Sequence, residues 1–189
     1  GEEHYNVISA FIKSLRGSDP DAAMHYMVRM LEAGEDPIFI LRRLVIFASE
    51  DIGSADPMAL VVAIHALEAF QLVGMPEGSL PLTQATTYLA AAPKSNAVLL
   101  AYDGARKDVL AHGSLPVPLH LRNAPTKLME GMGYSVEYKY PHDYEGSYVV
   151  ADYLPDALRG RRYYEPKGEG REAEIRARLD AFADLRKKR

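Results

Sequence analysis

The sequence contains no cysteine among its 189 residues. A disulfide framework and a thiolate metal site are therefore excluded, and the composition suits a reducing compartment. No apolar run approaches the roughly 20 residues of a membrane-spanning helix. The opening residues, GEEHYNVISAF, lack the basic and apolar regions of a signal peptide. We therefore expect a cytoplasmic protein that makes no use of a membrane.

The sequence also lacks the motif G-x-x-x-x-G-K-[ST], whose backbone N–H groups hold phosphates in a P-loop. Its two G-x-G pairs, at 131–133 and 168–170, lie outside any strand-to-helix context and are typical of turns. The six histidines are scattered, without the H-E-x-x-H spacing of a zinc site. We therefore predict no catalytic residue, no metal and no cofactor within these residues.

Two clusters of titratable residues are open to a catalytic interpretation. His142 and Asp143 form either a proton-transfer pair or a loop pinned by side-chain hydrogen bonds, and we favour the loop. Glu50, Asp51 and Asp56 lie at a helix end and at a helix start, where backbone amides explain Asp56 better than acid catalysis does. Neither cluster predicts an enzyme.

The charge is unevenly distributed, although the net value is only −4. Residues 159–189 hold 11 basic and 6 acidic side chains, whereas residues 1–158 hold 11 basic and 20 acidic ones. An acidic body is a poor nucleic-acid-binding surface. The basic end could contact DNA, but such a tail is more often simply solvated.

Residues 36–60, DPIFILRRLVIFASEDIGSADPMAL, contain a complete apolar helix with both of its ends. Asp36 is a candidate N-cap, and Pro37 suits the first helical position because its missing N–H costs nothing there. Apolar residues cover the helix on most sides, apart from Arg42 and Arg43, so we expect other helices to surround it. The same Asp-Pro pair recurs at 19–20 and at 56–57.

The apolar periodicity predicts an all-α fold, a bundle or collar of short antiparallel helices with tight connections. Residues 113–166 are richer in proline and in turn formers, and eight of the twelve tyrosines lie between 133 and 164. This Tyr-rich segment is predicted to be largely irregular, with a short helix at 125–132 and a short hairpin. The helices are expected at about 5–16, 19–34, 36–53, 56–73, 82–92, 95–111 and 171–188.

Several segments of the sequence, which follow one another in the same order, resemble the C-terminal region of the RarA/MgsA/WRNIP1 family of AAA+ ATPases, the replication-associated recombination proteins. The resemblance begins at RRLVIFASEDIGSADPMAL (42–60) and extends over about residues 4–166. Further blocks in the same order are YLAAAPKSNAV (88–98), LPVPLHLRNAPTKLM (115–129), YKYPHDYEG (138–146) and YLPDALRGRRYYEP (153–166). Because the sequence opens directly into a helix without an initiator methionine, we expect it to be a piece of a longer protein.

The resemblance implies a helical domain similar to the collar of clamp-loader subunits, which assembles the protein into a homotetramer. ATP and Mg²⁺ would bind to an N-terminal AAA+ module, so this piece should not be an enzyme, whereas the whole protein would be a DNA-dependent ATPase. The implied partners are further copies of the chain, its own AAA+ module, single-stranded DNA-binding protein and DNA at stalled forks. The implied location is the bacterial nucleoid.

We therefore predict an oligomerisation domain over 1–166, comprising a bundle at 1–112 and a Tyr-rich extension at 113–166 packed on it, followed by a charged tail at 167–189. The alternative is a DNA-binding module that uses the Tyr-rich segment and the basic tail. The candidate interface residues for oligomerisation, with the arginines as polar contacts, are Ile38, Leu41, Arg42, Arg43 and Val45. The candidate DNA contacts, which alternate cationic and aromatic groups, are Lys139, Arg161, Arg162 and Tyr163.

Overall fold

The computed structural model describes residues 1–188, and this part of the chain contains helices and turns but no strand. The all-α prediction is therefore confirmed. The eight α-helices are α1 (Glu2–Arg16), α2 (Pro20–Glu32), α3 (Pro37–Phe47), α4 (Met58–Val73), α5 (Ser79–Ala91), α6 (Ala97–His112), α7 (Lys127–Gly131) and α8 (Glu172–Lys187).

The predicted Asp-Pro caps start three of these helices. Asp19 Oδ1 accepts a hydrogen bond from the backbone N–H of Ala22 at 2.9 Å, and Asp36 Oδ1 accepts one from Ile38 at 2.9 Å. Asp56 Oδ1 accepts one from the N–H of Met58 at 3.0 Å. Each carboxylate satisfies one of the backbone N–H donors that a helix start leaves without an intrahelical partner. This is why the Asp-Pro pairs predicted the three helix starts correctly.

The described chain divides into two compact units. Unit 1 comprises Gly1–Leu100 and Tyr164–Arg176, and unit 2 comprises Ala101–Tyr163 and Ala177–Arg189. Two helices, α6 and α8, each contribute residues to both units. The predicted domain boundaries were 112/113 and 166/167. The two units are divided at other positions, because the chain leaves unit 1 within helix α6 and returns to it at Tyr164.

Unit 1 is a helical bundle around one apolar core. α2 packs against α1 and α5, and α4 packs against α3 and α5. The largest fully buried apolar side chains come from α1, α2, α3, the turn after α3, and α5: Phe11, Leu15, Met27, Ile40, Leu41, Leu44, Phe47, Ile52, Leu82 and Leu89. Between α3 and α4 the chain makes a wide turn over Ala48–Ile52 and a tight turn over Gly53–Ala55.

Unit 2 contains the second half of α6, α7, the Tyr-rich segment and most of α8. The Tyr-rich segment has only single turns of helix, at Pro141–Asp143, Glu145–Ser147 and Asp156–Leu158. The short hairpin predicted here was wrong, since Pro141 and the left-handed Gly146 (φ +66°) divide the segment into turns. An aromatic stack holds one end of it, because the rings of Tyr148 and Phe182 lie 4.0 Å apart and nearly parallel.

Candidate functional site

Helix α4 buries its small residues and exposes many of its large ones. The three residues that it buries are all alanines, Ala59, Ala63 and Ala66, spaced so that they share one face. Small side chains on this face let the α4 backbone lie close to α3 and α5. Val62, Leu67 and Phe70 of α4 also pack against the core. Other large apolar side chains are left on the outside, and the most exposed in the first two turns are Met58 (48%), Leu60 (41%), Val61 (40%) and Ile64 (36%).

This apolar surface continues past the end of α4. Leu72 is 85% exposed and Leu80, at the start of α5, is 70% exposed, while Val73 and Met75 are about half exposed. We call the eight residues Met58, Leu60, Val61, Ile64, Leu72, Val73, Met75 and Leu80 the α4 surface. Such a number of exposed large apolar side chains in one stretch of chain is typical of a contact surface rather than of a surface that meets only water.

The α4 surface is almost free of charge. Glu68 is the one acidic residue of the helix, and the helix contains no lysine or arginine. The surface therefore offers no cation for a phosphate, which argues against nucleic acid as its partner. A neutral apolar surface is instead suited to contact another protein surface.

The predicted interface on α3 is only partly available. Leu41 is fully buried in the core of its own chain, so it cannot contact a second copy without unfolding, and we remove it from the interface. Ile38 and Val45 are half-buried and pack against the same core. Arg42 is exposed and Arg43 is half-buried.

The expectation that other helices surround α3 was wrong, because Ile46 is 52% exposed on its outer side. α3 therefore has one core face and one solvent face, like an ordinary surface helix.

The acidic residues after α3 have structural partners. Asp51, which is buried, accepts a hydrogen bond from Arg16 Nε at 2.7 Å, and this bond raises the pKa of the Arg16 guanidinium. Asp56 Oδ2 accepts a bond from the hydroxyl of Tyr88 at 2.7 Å, which raises the pKa of that phenol. Asp51 thus pairs with Arg16 on α1.

A second buried carboxylate, Glu172, lies in the segment with which the chain returns to unit 1. Glu172 is fully buried and accepts hydrogen bonds from the hydroxyl of Tyr164 at 2.7 Å and from the N–H of Lys167 at 3.2 Å. Burial, followed by the bond to Glu172, raises the pKa of Tyr164 to about 12. We call residues 164–172 the clasp, since the N–H of Arg171 also donates to the carbonyl of Ala55, just before α4, at 2.8 Å.

The clasp needs a glycine at one position. Gly170 has φ +54°, and a β-carbon there would meet the carbonyl of Ala55 and the ring of Pro93. No sequence pattern connects 164–172 with residue 55, because the contact depends on tertiary structure alone.

Two of the four candidate DNA contacts are bound to a carboxylate of their own chain. Asp108 on α6 accepts a hydrogen bond from the hydroxyl of Tyr163 at 2.7 Å and forms an ion pair with Arg161, whose Nε lies 2.8 Å from the carboxylate. The bond from Tyr163 is the main cause of a lowered pKa at Asp108, with Arg161 adding to it. Arg162 and Lys139 are exposed.

His142 and Asp143 lie exposed in a single helical turn, where the imidazole packs 5.1 Å from the ring of Tyr140. Backbone bonds hold this turn, including one from the N–H of Asp143 to the carbonyl of Tyr140. Among residues 1–188 no three His, Asp or Glu side chains are grouped as a metal site would require, and no helix is long and apolar enough to cross a bilayer.

The orientation of α4 is the feature that periodicity alone mispredicts. The apolar residues Leu60, Val61, Ile64, Leu67 and Phe70 repeat with helical spacing, which normally indicates the buried face. Leu67 and Phe70 do pack against the core, whereas Leu60, Val61 and Ile64 are exposed. The alanines at 59, 63 and 66 repeat with the same spacing on the opposite side. The sequence signal for this orientation was therefore a face of alanines opposite a face of large apolar residues. Such a pattern indicates that the alanine face packs closely against neighbouring helices and that the other face is exposed.

Comparison with known proteins shows extensive similarity. Residues 17–183 match the family model described as the C-terminal part of MgsA AAA+ ATPases. The chain is 49% identical over 186 residues to replication-associated recombination protein A of Coxiella burnetii and 46% identical over 185 residues to that of Escherichia coli K12. It is 53% identical over 190 residues to an uncharacterized AAA domain-containing protein of Mycobacterium tuberculosis. These matches cover 97–100% of this chain but only 41–42% of each relative.

Proposed function

Because the chain belongs to the MgsA family of AAA+ ATPases and matches the family's C-terminal part, we propose that it is the oligomerisation domain of such an ATPase, acting in replication-associated recombination. Copies of the chain would pack through the α4 surface. The observation that carries the proposal is the outer side of α4, where large apolar side chains are exposed to solvent while the alanines are buried.

The apolar character of the α4 surface suits a contact between copies, because the centre of a stable interface is more apolar than the rest of a protein surface. Burying one aliphatic side chain completely contributes about 1.5–3 kcal/mol, and these residues are about half exposed, so several of them together could offset the cost of association. Two such surfaces bring few charges together, because Glu68 and Glu77 are the only carboxylates between Met58 and Leu80 and this stretch has no lysine or arginine.

The activity of the whole protein rests on the rest of its length, since the chain spans about two fifths of the relatives it matches. We propose that a AAA+ module binds ATP and Mg²⁺ and hydrolyses ATP in response to DNA, and that this domain holds several modules in one assembly. Single-stranded DNA-binding protein and DNA are the proposed partners of that assembly, at forks in the bacterial nucleoid. DNA binding by the Tyr-rich segment and the tail receives less support, because Asp108 already occupies Arg161 and Tyr163.

The test compares two valines that are alike except for their location. Val61 on the α4 surface is 40% exposed, and Val28 on α2 is 44% exposed, so Val61→Glu and Val28→Glu place the same charge at similarly exposed helical positions of unit 1. Light scattering over a concentration series would give the solution mass of the wild-type chain and of both variants, with circular dichroism as the check on folding.

We expect the wild-type chain to reach a mass of about four chains, and Val28→Glu to keep that mass. Val61→Glu should raise the dissociation constant by at least about tenfold, because a carboxylate buried in an apolar contact loses its hydration. A monomeric wild-type chain at every concentration would refute oligomerisation by this domain. A Val61→Glu variant that assembles as well as the wild type would show that another surface is used.

A further inference from the structure

The exposed side of α4 has a regular residue spacing. Its members lie three and four positions apart in alternation, a repeat of seven residues that keeps them on one side of a helix. We call these five residues the α4 stripe: Met58, Val61, His65, Glu68 and Leu72. All five are exposed to solvent, although α4 as a whole is packed against α3 and α5 on its other side.

The α4 stripe has the same pattern in both directions along the helix. From Val61 to Leu72 the spacing is four, three and four, which is symmetric about the point midway between residues 66 and 67. The two outer residues are apolar and the two inner ones, His65 and Glu68, are polar. A second copy of α4 that lies antiparallel to the first therefore sets Val61 opposite Leu72 and His65 opposite Glu68.

The two polar residues of the α4 stripe are chemically complementary. Neither His65 nor Glu68 has an ion-pair partner within residues 1–188. An imidazole can donate an N–H to a carboxylate whether or not the ring is charged. Antiparallel pairing makes this contact twice, once on each side of a two-fold axis, so neither Glu68 carboxylate enters the interface without a donor.

Other arrangements of two α4 helices leave the carboxylate of Glu68 worse placed. Parallel pairing in register sets Glu68 beside Glu68, and like charges in an apolar contact oppose association. Antiparallel pairing shifted by seven residues sets Glu68 opposite Met58 in one direction and opposite Leu72 in the other. The carboxylate would then lose hydration without gaining a hydrogen-bond donor.

From the symmetric spacing and the complementary centre, we infer that two copies of the chain pair their α4 helices antiparallel about a two-fold axis at the midpoint between residues 66 and 67. Val61 of each copy packs on Leu72 of the other, and His65 donates to Glu68 of the other. The inference rests on the proposed assembly through the α4 surface and adds its geometry. A two-fold pair closes on itself, so a mass of four chains requires two such pairs joined through a different surface.

Single cysteines report this geometry without background, because the chain has no cysteine of its own. With a rise of 1.5 Å per residue, the pairing sets Val61 level with Leu72 of the second copy but about 16 Å along the axis from Val61 of that copy. A disulfide needs Cα atoms within about 7 Å of each other. We expect mixed Val61→Cys and Leu72→Cys chains to form a disulfide-linked dimer of one of each under mild oxidation, and neither variant to do so alone.

Exchange of the two polar residues tests the centre of the stripe. His65→Glu sets two carboxylates against each other and should raise the dissociation constant by at least about tenfold in light scattering. Adding Glu68→His to the same chain again sets an imidazole opposite a carboxylate, so the double variant should return to within about threefold of the wild type. His25→Glu, at an exposed histidine of α2, is the matched control and should keep the wild-type value.

Three results would overturn the inference and leave assembly through the α4 surface in place. They are disulfide formation by Val61→Cys alone, absence of a disulfide in a mixture that light scattering shows to be assembled, and a double variant that assembles no better than His65→Glu. A wild-type chain that is monomeric at every concentration would instead refute the proposed assembly and this geometry together. Circular dichroism of each variant checks that it is folded.

Discussion

Removing the hydroxyl of Tyr164 tests whether the clasp holds the end of the chain to unit 1. In Tyr164→Phe the ring remains but Glu172 loses one of its two hydrogen-bond donors, and the N–H of Lys167 is left as the other. The carboxylate is fully buried, so water cannot replace the lost donor. A hydrogen bond to a charged group contributes about 1.5–3 kcal/mol, and we expect the free energy of unfolding to fall by that amount.

A double-mutant cycle separates this bond from general effects of the substitution. Glu172→Ala should cost about 2–4 kcal/mol, because it leaves the hydroxyl of Tyr164 and the N–H of Lys167 without an acceptor. Once the carboxylate is gone, Tyr164→Phe should have little further effect. The coupling between the two sites should therefore be about 1.5–3 kcal/mol, measured by urea denaturation of the whole chain.

Tyr153→Phe is the control, since this tyrosine is 47% exposed and its hydroxyl has no hydrogen-bond partner within residues 1–188. Its effect should stay within about 0.5 kcal/mol. A similarly small effect of Tyr164→Phe, or strict additivity in the cycle, would refute the reasoning.

The same clasp predicts a dependence of stability on pH. The pKa of Tyr164 is raised from 10.0 to about 12, so the folded state holds the phenol proton more tightly than the unfolded state does. Its contribution is therefore complete below about pH 10 and is lost as the pH rises from there to about 12. The difference in unfolding free energy between wild type and Tyr164→Phe should accordingly shrink between pH 9 and pH 12, and a constant difference would contradict the assignment.

Two other ion pairs lead to measurable predictions. Arg16→Ala should reduce the free energy of unfolding by about 1–3 kcal/mol in urea denaturation, because it leaves the buried carboxylate of Asp51 without its partner, and Asp51→Asn added to it should restore part of the loss. Tyr163→Phe should raise the lowered pKa of Asp108 toward its usual value, as measured by carbon NMR of the carboxyl group. Because the folded pKa of Asp108 is lowered, its stabilising effect is present above the usual carboxyl pKa and is lost as the pH falls through the folded value. An unchanged titration of Asp108 in Tyr163→Phe would show that the hydroxyl is not the cause.

The parts of the fold that sequence predicts well are those determined by neighbours in the chain. A cap such as Asp19 acts on a backbone amide three residues away, so the residue types and their spacing contain the whole interaction. The final charged helix, expected at 171–188 and observed at Glu172–Lys187, likewise follows from local pattern and composition.

The parts that sequence predicts poorly are those determined by distant residues. Asp51 and Arg16 are separated by 35 positions, and Tyr163 and Asp108 by 55. Each residue taken alone resembles a solvent-exposed charge or a candidate binding group, as Tyr163 and Arg161 did. Only the fold shows that they already have partners, which is why candidate sites chosen by residue type included residues with structural roles.

The distribution of charge supports the division of roles between the two units. Unit 1 contains nine basic and sixteen acidic residues, yet the α4 surface carries a single carboxylate. A surface exposed only to water has no reason to lack charge within an acidic unit, and large aliphatic side chains there promote aggregation. A surface that is covered by another copy must lack charge, because each buried carboxylate would need a partner or lose its hydration. The scarcity of charge on the outer side of α4, where Glu68 is the one carboxylate, therefore favours assembly as the reason for this arrangement.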